Sequence, residues 1–306
     1  MQSIIAVEGL TKRFGGKTVV DNISFSVEKN SLFAFLGQNG AGKTTTINMI
    51  IGLLPRDGGE ILYDGSPDFK AYKSKLGVVF QNNILDDLLT VEENLLTYGA
   101  LYLDSPRQAK ERLREVVTLL SLDEVAKQPF RTLSGGQKRK AEIARALFMS
   151  PEILFLDEPT TGLDPRTRAE VWHIINRLKT ENGMTIFLTT HYMEETASAD
   201  HVAIINKGTI VATGCPAELK SQYTSDRLLI TPKDAGLLQK QLEPLGITPQ
   251  NIADTYIVEM SDTAYSIDLL YKLKDNIRFY EVVKGSMDDV FLSVVGEKIT
   301  GNEVAE

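Results

Sequence analysis

The sequence predicts an α/β fold: a mixed, mainly parallel, helix-flanked sheet, joined to an antiparallel β subdomain, a helical insert and a small α+β C-terminal domain. Three observations predict it. Short, mainly apolar runs alternate with helical patterns over residues 31–206, as expected of strands buried on both faces. A glycine-rich loop, residues 37–43, joins one of these strands to a helix. Beyond about residue 220 the pattern changes to strand-like runs separated by single helices.

Residues 4–10 and 19–27, divided by a Gly15-Gly16 turn and interrupted by Asp21, Asn22 and Ser24, read as antiparallel strand material. Residues 31–36 form a compact apolar strand, 44–54 a helix, and Arg56-Asp57-Gly58-Gly59 a turn into strand 60–63. From about 85 to 149 the chain reads as a helical subdomain. Thr90 with Glu93, and Ser105 with Gln108 behind Pro106, match capping boxes, in which side chains satisfy free donors of the first helical turn. Residues 153–156, 185–189 and 201–206 are short buried strands, and 165–181 is a helix carrying Val171, Ile174, Ile175 and Leu178 on one face.

A turn at Asn206-Lys207-Gly208 and a helix over 216–222 precede a boundary near 221–225, which divides the chain into domains 1–220 and 221–306. The second has strand-like runs at 227–231, 256–260 and 278–283 and helices at 235–245 and 264–274. Near its end Met287, Val290, Phe291 and Val294 make a helical apolar face, suited either to packing on its own domain or to pairing two subunits.

Composition excludes several function classes. With 33 basic against 41 acidic residues the chain carries a net charge of −8, which argues against a broad basic face for nucleic acid. The longest apolar stretches, such as 49–54 and 153–156, are far below the roughly 18 residues that cross a bilayer. The first residues lack a basic region followed by an apolar block, so no secretory signal is expected. One cysteine, Cys215, allows no internal disulfide, fits a reducing compartment, and has nothing beside it to activate the thiol.

Gly37-Gln38-Asn39-Gly40-Ala41-Gly42-Lys43-Thr44-Thr45 satisfies GxxxxGK[ST] between a strand and a helix, the context of a phosphate loop. Its glycines let backbone N–H groups wrap an anion, Lys43 reaches β and γ phosphates, and the Thr44 hydroxyl ligates Mg²⁺. The strand Ile153-Leu154-Phe155-Leu156 ends in two acids: Asp157 suits Mg²⁺, and Glu158 is placed to polarise a water that attacks the γ-phosphate. Leu133-Ser134-Gly135-Gly136-Gln137 opens another helix with an S-x-x-Q box. Its two bare glycines leave a helix N-terminus open to an anion, and the phosphate loop already supplies one such end for the chain's own nucleotide. A nucleotide held by a partner subunit is the remaining candidate.

With phosphate loop, LSGGQ and acidic strand in that order, residues 3 to about 220 resemble an ATP-binding cassette (ABC) ATPase. That resemblance implies ATP and Mg²⁺ as ligands and ATP hydrolysis as the reaction. It makes Gln81 the Q-loop glutamine near Mg²⁺ or the attacking water, and His191 the switch histidine at the γ-phosphate. Asp164 becomes the D-loop aspartate that touches the opposite phosphate loop, although with Pro165 it also reads as a helix N-cap. Phe14 stands where the family stacks an aromatic on adenine, commonly a tyrosine; it keeps the stacking face and lacks the hydroxyl. Ser134, Gly135, Gly136 and Gln137 would serve the other subunit's ATP. His173 and His201 carry no such match and read as structural.

The same resemblance implies a second ATP-binding subunit, a homodimer by preference, a separately encoded membrane permease, and a place on the cytoplasmic face of the membrane. The segments Gly77-Val78-Val79-Phe80-Gln81, Leu88-Leu89-Thr90-Val91-Glu92-Glu93-Asn94-Leu95 and Gly285-Ser286-Met287-Asp288-Asp289-Val290-Phe291-Leu292 resemble bacterial type-2 exporter ATPases, including those of drug and antibiotic export. Two other classes fit less well. Ribosome-acting ABC ATPases typically carry two cassettes in one chain, and DNA-maintenance members separate these motifs by long coiled coils or a zinc module, for which one cysteine is too few.

Overall fold

The computed structural model describes residues 2–103, 105–260 and 263–296, and divides into two compact units, Met1–Gly214 and Cys215–Glu306. In the first unit, β1 (Ser3–Phe14), β2 (Lys17–Glu28) and β4 (Gly58–Tyr63) form an antiparallel sheet in the order β2-β1-β4. A six-stranded sheet runs β5-β6-β7-β3-β8-β9, made from β3 (Leu32–Leu36), β5 (Leu76–Val79), β6 (Ile153–Asp157), β7 (Thr185–Thr190), β8 (His201–Asn206) and β9 (Thr209–Gly214). Its pairings are parallel except β8 with β9. Every residue of β3, β6 and β7 is buried, in keeping with the apolar stretches 32–36, 153–156 and 186–188 at their centres.

The two sheets share one core. Ile5, Val7 and Leu10 of β1 meet Phe33, Phe35, Phe155 and Phe187 of the larger sheet, with Phe25 of β2 between them. Phe187 is at the centre, its ring centroid 5.3 Å from those of Phe33 and Phe155, 5.9 Å from Phe35 and 6.0 Å from Phe25. Offset and tilted rings at these spacings add directional attraction to burial.

Helices α1 (Lys43–Ile50), α2 (Phe69–Tyr72), α3 (Val91–Ala100), α4 (Pro106–Leu119), α5 (Gly135–Leu147) and α6 (Pro165–Asn182) complete the first unit. Thr90 and Glu93 cap α3 reciprocally, as expected. At α4 only half the expected box forms: the Ser105 hydroxyl accepts from Gln108 N–H, with Pro106 next, and no return bond from the Gln108 side chain completes it. Helix α1 ends at Ile50, short of the expected residue 54, because the chain turns at Gly52 in the left-handed region (φ 73°). Strand β9 escaped the sequence reading; its alternating, half-exposed pattern over six residues lies just behind the turn that was recognised.

The chain leaves the carboxyl ends of β3, β5, β6 and β7 into the segments at 37–42, 80–85, 158–164 and 191–192, all on one rim of the parallel sheet. Ligands of open α/β sheets bind along such a rim.

In the second unit, β10 (Asp226–Pro232), β11 (Gln250–Ile252), β12 (Thr255–Met260) and β13 (Ile277–Val283) form an antiparallel sheet ordered β11-β12-β10-β13. Helices α7 (Pro216–Tyr223), α8 (Ala235–Leu242), α9 (Tyr265–Leu273) and α10 (Met287–Val295) accompany it. Leu228, Ile230, Leu238, Leu242, Tyr256, Val258, Leu269 and Leu273 form a separate small core. The division after Gly214 places α7, expected at the end of the first domain, with the second unit, where it packs on α10. Met287, Val290 and Phe291 of α10 are buried there, and Arg227 of β10 holds Asp289 in its first turn at 2.9 Å. Cys215 has a structural role: its sulfur accepts from Glu218 N–H and caps α7.

Phe187→Ala is expected to destabilise the first unit by about 3–5 kcal/mol, since it removes the ring that four others contact. A denaturant titration of the full chain, monitored by a probe in that unit, reads the shift in midpoint.

Candidate functional site

The floor of the site is the phosphate loop. Gly42, the N-cap of α1, has φ 112°, where a side chain would be strained, and a Cβ there would lie 3.0 Å from the Val19 carbonyl oxygen of β2. No side chain caps this helix, so its first N–H groups remain available to an anion. Lys43 is 4% exposed; its Nζ donates to the carbonyls of Gly37 at 2.8 Å and Gln38 at 3.1 Å. A cavity of about 270 Å³ above the loop is lined by Val19, Asn39, Gly40, Gly42, Lys43, Thr44, Thr45, Gln81 and Glu158. Larger concavities lie elsewhere on the first unit, including one of about 520 Å³ between α6 and residues 194–198; they lack the loop's anion-binding groups.

Of the two acids at the end of β6, Glu158 lines this cavity and Asp157 reaches Thr44 on its floor. Asp157, buried at the strand terminus, accepts from the Thr189 hydroxyl at 2.5 Å and from the Thr44 hydroxyl at 3.4 Å. Glu158 leaves the strand with φ 46°, a left-handed conformation uncommon for a glutamate. Its N–H is held by the Thr189 carbonyl at 3.2 Å and hydroxyl at 3.0 Å, which fixes the turn. The turn aims the carboxylate back at the loop.

Around that carboxylate the predicted residues converge. Lys43 Nζ is 3.1 Å from Oε1; Gln81 Nε2 at 3.4 Å and the Thr161 hydroxyl at 3.1 Å donate to Oε2. His191 Nδ1 approaches Oε2 to 3.3 Å without hydrogen-bond geometry, so the contact is an electrostatic approach. Burial opposes ionisation of Glu158, but the hydrogen bond and charge of Lys43, then His191 and Thr161, outweigh it and hold the pKa below the ordinary carboxylate value. Glu158 is therefore a carboxylate at neutral pH, able to accept a proton from water.

Thr44, Asp157 and Gln81 offer hydroxyl, carboxylate and amide oxygens near one another, the hard donor types that Mg²⁺ takes. Among the described residues no cluster of three or more His, Cys, Asp or Glu side chains forms a metal cage. Mg²⁺ characteristically shares such sparse protein donors with substrate phosphates.

The remaining predicted residues lie away from the cavity. Phe14 is 48% exposed beside the β1–β2 turn, with Lys12 Nζ 5.3 Å from its ring centroid. At LSGGQ, Ser134 and Gln137 complete the capping box, through Ser134 N–H to Gln137 Oε1 at 2.9 Å and Gln137 N–H to Ser134 Oγ at 3.3 Å. Ser134 and Gly135 are exposed, whereas Gly136 is buried. A Cβ on Gly136 would meet Thr167 Cγ2 at 2.3 Å, so the second glycine is required by packing against α6. Bare glycines were expected to serve an anion alone; at Gly136 close helix approach is an additional and sufficient reason.

Asp164 caps α6 by accepting from Arg166 N–H and Thr167 N–H, each at 3.1 Å, and from the Thr167 hydroxyl at 2.5 Å. The Thr167 bonds hold its pKa low, and its side chain remains exposed. Through Leu163 and Thr167 the D-loop lies directly against LSGGQ. Of the other histidines, His173 is exposed on α6, and His201 bonds the Thr213 hydroxyl at 2.8 Å.

Sequence reasoning missed a buried set on α5. Arg139 donates to the carbonyls of Phe80 at 2.7 Å and Gln81 at 3.3 Å. Glu142 Oε1 accepts from Ile84 N–H at 2.6 Å and Leu85 N–H at 3.0 Å, while Arg145 pairs with Glu142 at 3.2 Å and donates to the Val78 carbonyl at 2.5 Å. These residues wire the helix that LSGGQ opens to the backbone that carries Gln81. The available signal was three charges at i, i+3 and i+6 amid Ala141, Ile143, Ala144 and Leu147, where a helix turns one face to the core.

A family model described as "ABC transporter" matches residues 20–161. The linearmycin resistance ATP-binding protein LnrL of Bacillus subtilis (strain 168) is 40% identical over 230 residues, 74% of this chain and 74% of that protein. The Nod factor export ATP-binding protein I of Paraburkholderia xenovorans (strain LB400) is 35% identical over 97% of this chain and 99% of that one. The dimeric post-hydrolysis structure of the ATP-binding cassette MJ0796, bound to ADP and Pi, is similar with a TM-score of 0.62 at 26% identity, over 69% of this chain and 98% of that one.

Gly136→Ala is expected to cost about 1–3 kcal/mol by overpacking, and Thr167→Ser, which removes the clashing methyl but keeps the hydroxyl bond to Asp164, to restore most of it. Thermal melting of the single and double variants checks this. An equal loss in both variants would separate Gly136 from Thr167.

Proposed function

The chain belongs to the ABC transporter family as one of its ATP-binding, ATP-hydrolysing subunits, and on that premise we propose that it drives an exporter of drugs, antibiotics or related small molecules through a separate membrane permease. One observation carries the catalytic part: Lys43, Gln81 and His191 converge on the Glu158 carboxylate at the edge of the cavity above the phosphate loop.

ATP lies with its phosphates on the loop of Gly37, Asn39, Gly40, Gly42, Lys43, Thr44 and Thr45, where N–H groups and the α1 terminus meet negative charge. Thr44, Asp157 and Gln81 would hold Mg²⁺, which supplies neutralisation of charge building on the β and γ phosphates. Lys43 turns from Glu158 toward the γ-phosphate, and Glu158 accepts a proton from the water that attacks the phosphorus. The bond to the β,γ-bridging oxygen breaks, leaving ADP and phosphate. His191 orients the γ-phosphate and the water beside Glu158. Phe14 stacks on adenine.

Two copies complete the site. Ser134 and Gly135 are exposed at a capped helix start on the same surface as Asp164, outside the chain's own cavity, which suits them to the γ-phosphate of a partner subunit. A homodimer then holds two ATP at its interface. The γ-phosphate supplies the differential affinity for the closed pair that any ligand-driven switch requires.

The permease reading rests on a second feature. A concavity of about 500 Å³ lined by Leu53, Phe69, Leu76, Phe80, Tyr98 and Tyr102 among others opens beside the segment that carries Gln81. Leu53 and Tyr102 are exposed apolar residues on its rim, of the kind that marks a protein contact. Among the described residues no helix is long and apolar enough to cross a membrane. Docking there, at the cytoplasmic face of the membrane, lets closure of the dimer pull on a permease. The named roles of the resistance and export relatives support outward transport, and the net negative charge supports a protein partner over nucleic acid.

Glu158→Gln is expected to retain ATP binding, lower turnover by about 100-fold or more, and accumulate an ATP-bound dimer. Steady-state hydrolysis with size-exclusion chromatography in ATP reads both. Unchanged turnover would remove Glu158 from its role as base.

A further inference from the structure

Four loops leave the rim of the parallel sheet, yet no single backbone ladder joins them beyond the strand ends. The Glu195 side chain links two of them, the segments that follow β6 and β7. It is 4% exposed, on the short helical turn Met193–Ser198 that follows β7. Its Oε1 accepts from the Thr160 hydroxyl and its Oε2 from the Thr190 hydroxyl at 2.5 Å, and both threonines are 1% exposed.

Each threonine belongs to a different functional segment. Thr160 lies two residues beyond Glu158 and next to Thr161, whose hydroxyl holds the Glu158 carboxylate. Thr190 ends β7 immediately before His191; its hydroxyl accepts from Tyr192 N–H at 2.9 Å, and its carbonyl accepts from Gly37 N–H at 3.2 Å at the start of the phosphate loop. One carboxylate therefore ties the segment that follows the base to the segment that carries the histidine, and through Thr190 to the phosphate loop. An apolar side chain would fill this space without burying a carboxylate, whose desolvation is costly unless both oxygens are bonded.

We propose that Glu195 is a positioning residue for hydrolysis: by bridging Thr160 and Thr190 it sets the distance between Glu158 and His191, 3.3 Å in this structure, and so the place of the attacking water. The proposal rests on the reading of Glu158 and His191 as the hydrolytic pair. It assigns Glu195 no contact with ATP, and nucleotide affinity stays with the phosphate loop.

The test compares Glu195→Ala, Glu195→Gln and Thr160→Val in the full chain, each measured for ATP turnover, nucleotide affinity and thermal melting. Glu195→Ala is expected to lower kcat by about 10- to 100-fold, the scale of a displaced reacting group, while nucleotide affinity stays within about twofold. Glu195→Gln keeps one acceptor oxygen and should recover part of the rate; adding Thr160→Val to Glu195→Ala should cost nothing further, because the bond is already gone. If Glu195→Ala does not fold, the other two variants carry the test, with kcat reduced and affinity unchanged expected in each. Wild-type kcat in a folded Glu195→Ala, or in both milder variants, overturns the proposal, as does a loss of nucleotide affinity that matches the loss of rate. Glu158→Gln measured alongside separates the two readings. Full turnover there would remove the hydrolytic pair itself, whereas its inactivity beside a fully active Glu195→Ala would remove only the clamp.

Discussion

The structure of the first unit turns on keeping the Glu158 carboxylate charged in a site almost closed to water. Isolating such a charge costs several kcal/mol, and the groups that offset it come from separate parts of the chain: Lys43 from the phosphate loop, Gln81 from beyond β5, Thr161 from its own turn, and His191 from beyond β7. Parallel strands make this convergence possible, because they deliver successive loops to one rim. The left-handed turn at Glu158, pinned by Thr189, then points the carboxylate inward. With ATP bound as proposed, the same charges would redistribute: Lys43 would meet the γ-phosphate, and Glu158 would be free to act on water.

Much of this was legible in the sequence, for identifiable reasons. Strands buried on both faces leave mainly apolar runs, so 31–36, 153–156 and 185–189 were read nearly to the residue. The phosphate loop and the acidic pair declare themselves by spacing, and the fold brings Gly42, Lys43, Thr44, Asp157 and Glu158 together. What stayed hidden depends on contacts distant in sequence. Nothing local to Gly136 announces Thr167, and nothing near Arg139 or Glu142 announces that the backbone of residues 80–85 needs charged partners. Glu195 carries no motif, and its threonine partner Thr160 lies 35 residues away in sequence. Strand β9 was too short and too exposed for an apolar run, and α7 changed sides because its packing partner, α10, lies some seventy residues further on.

LSGGQ shows how one motif can meet two demands. Ser134 and Gln137 satisfy the helix end, and Gly136 satisfies the approach of α6, so three of its residues have a role within the chain. Those internal roles hold Gly135 and the Ser134 backbone outward, next to the D-loop. Arg139, Glu142 and Arg145 carry the connection on through α5 to the segment of Gln81. A phosphate bound at the exposed end of α5 would thus press on the segment beside the apolar concavity, giving a physical path from a partner's ATP to a permease.

In the proposed dimer each ATP is gripped by the phosphate loop of one copy and the LSGGQ of the other. The most direct test mixes subunits carrying Ser134→Arg with subunits carrying Lys43→Ala, each inactive alone, and measures single-turnover ATP hydrolysis at a known fraction of mixed dimer. Sharing between copies predicts one intact site per mixed dimer, and hydrolysis that rises with the mixed fraction. No recovery of hydrolysis in verified mixed dimers would contradict it.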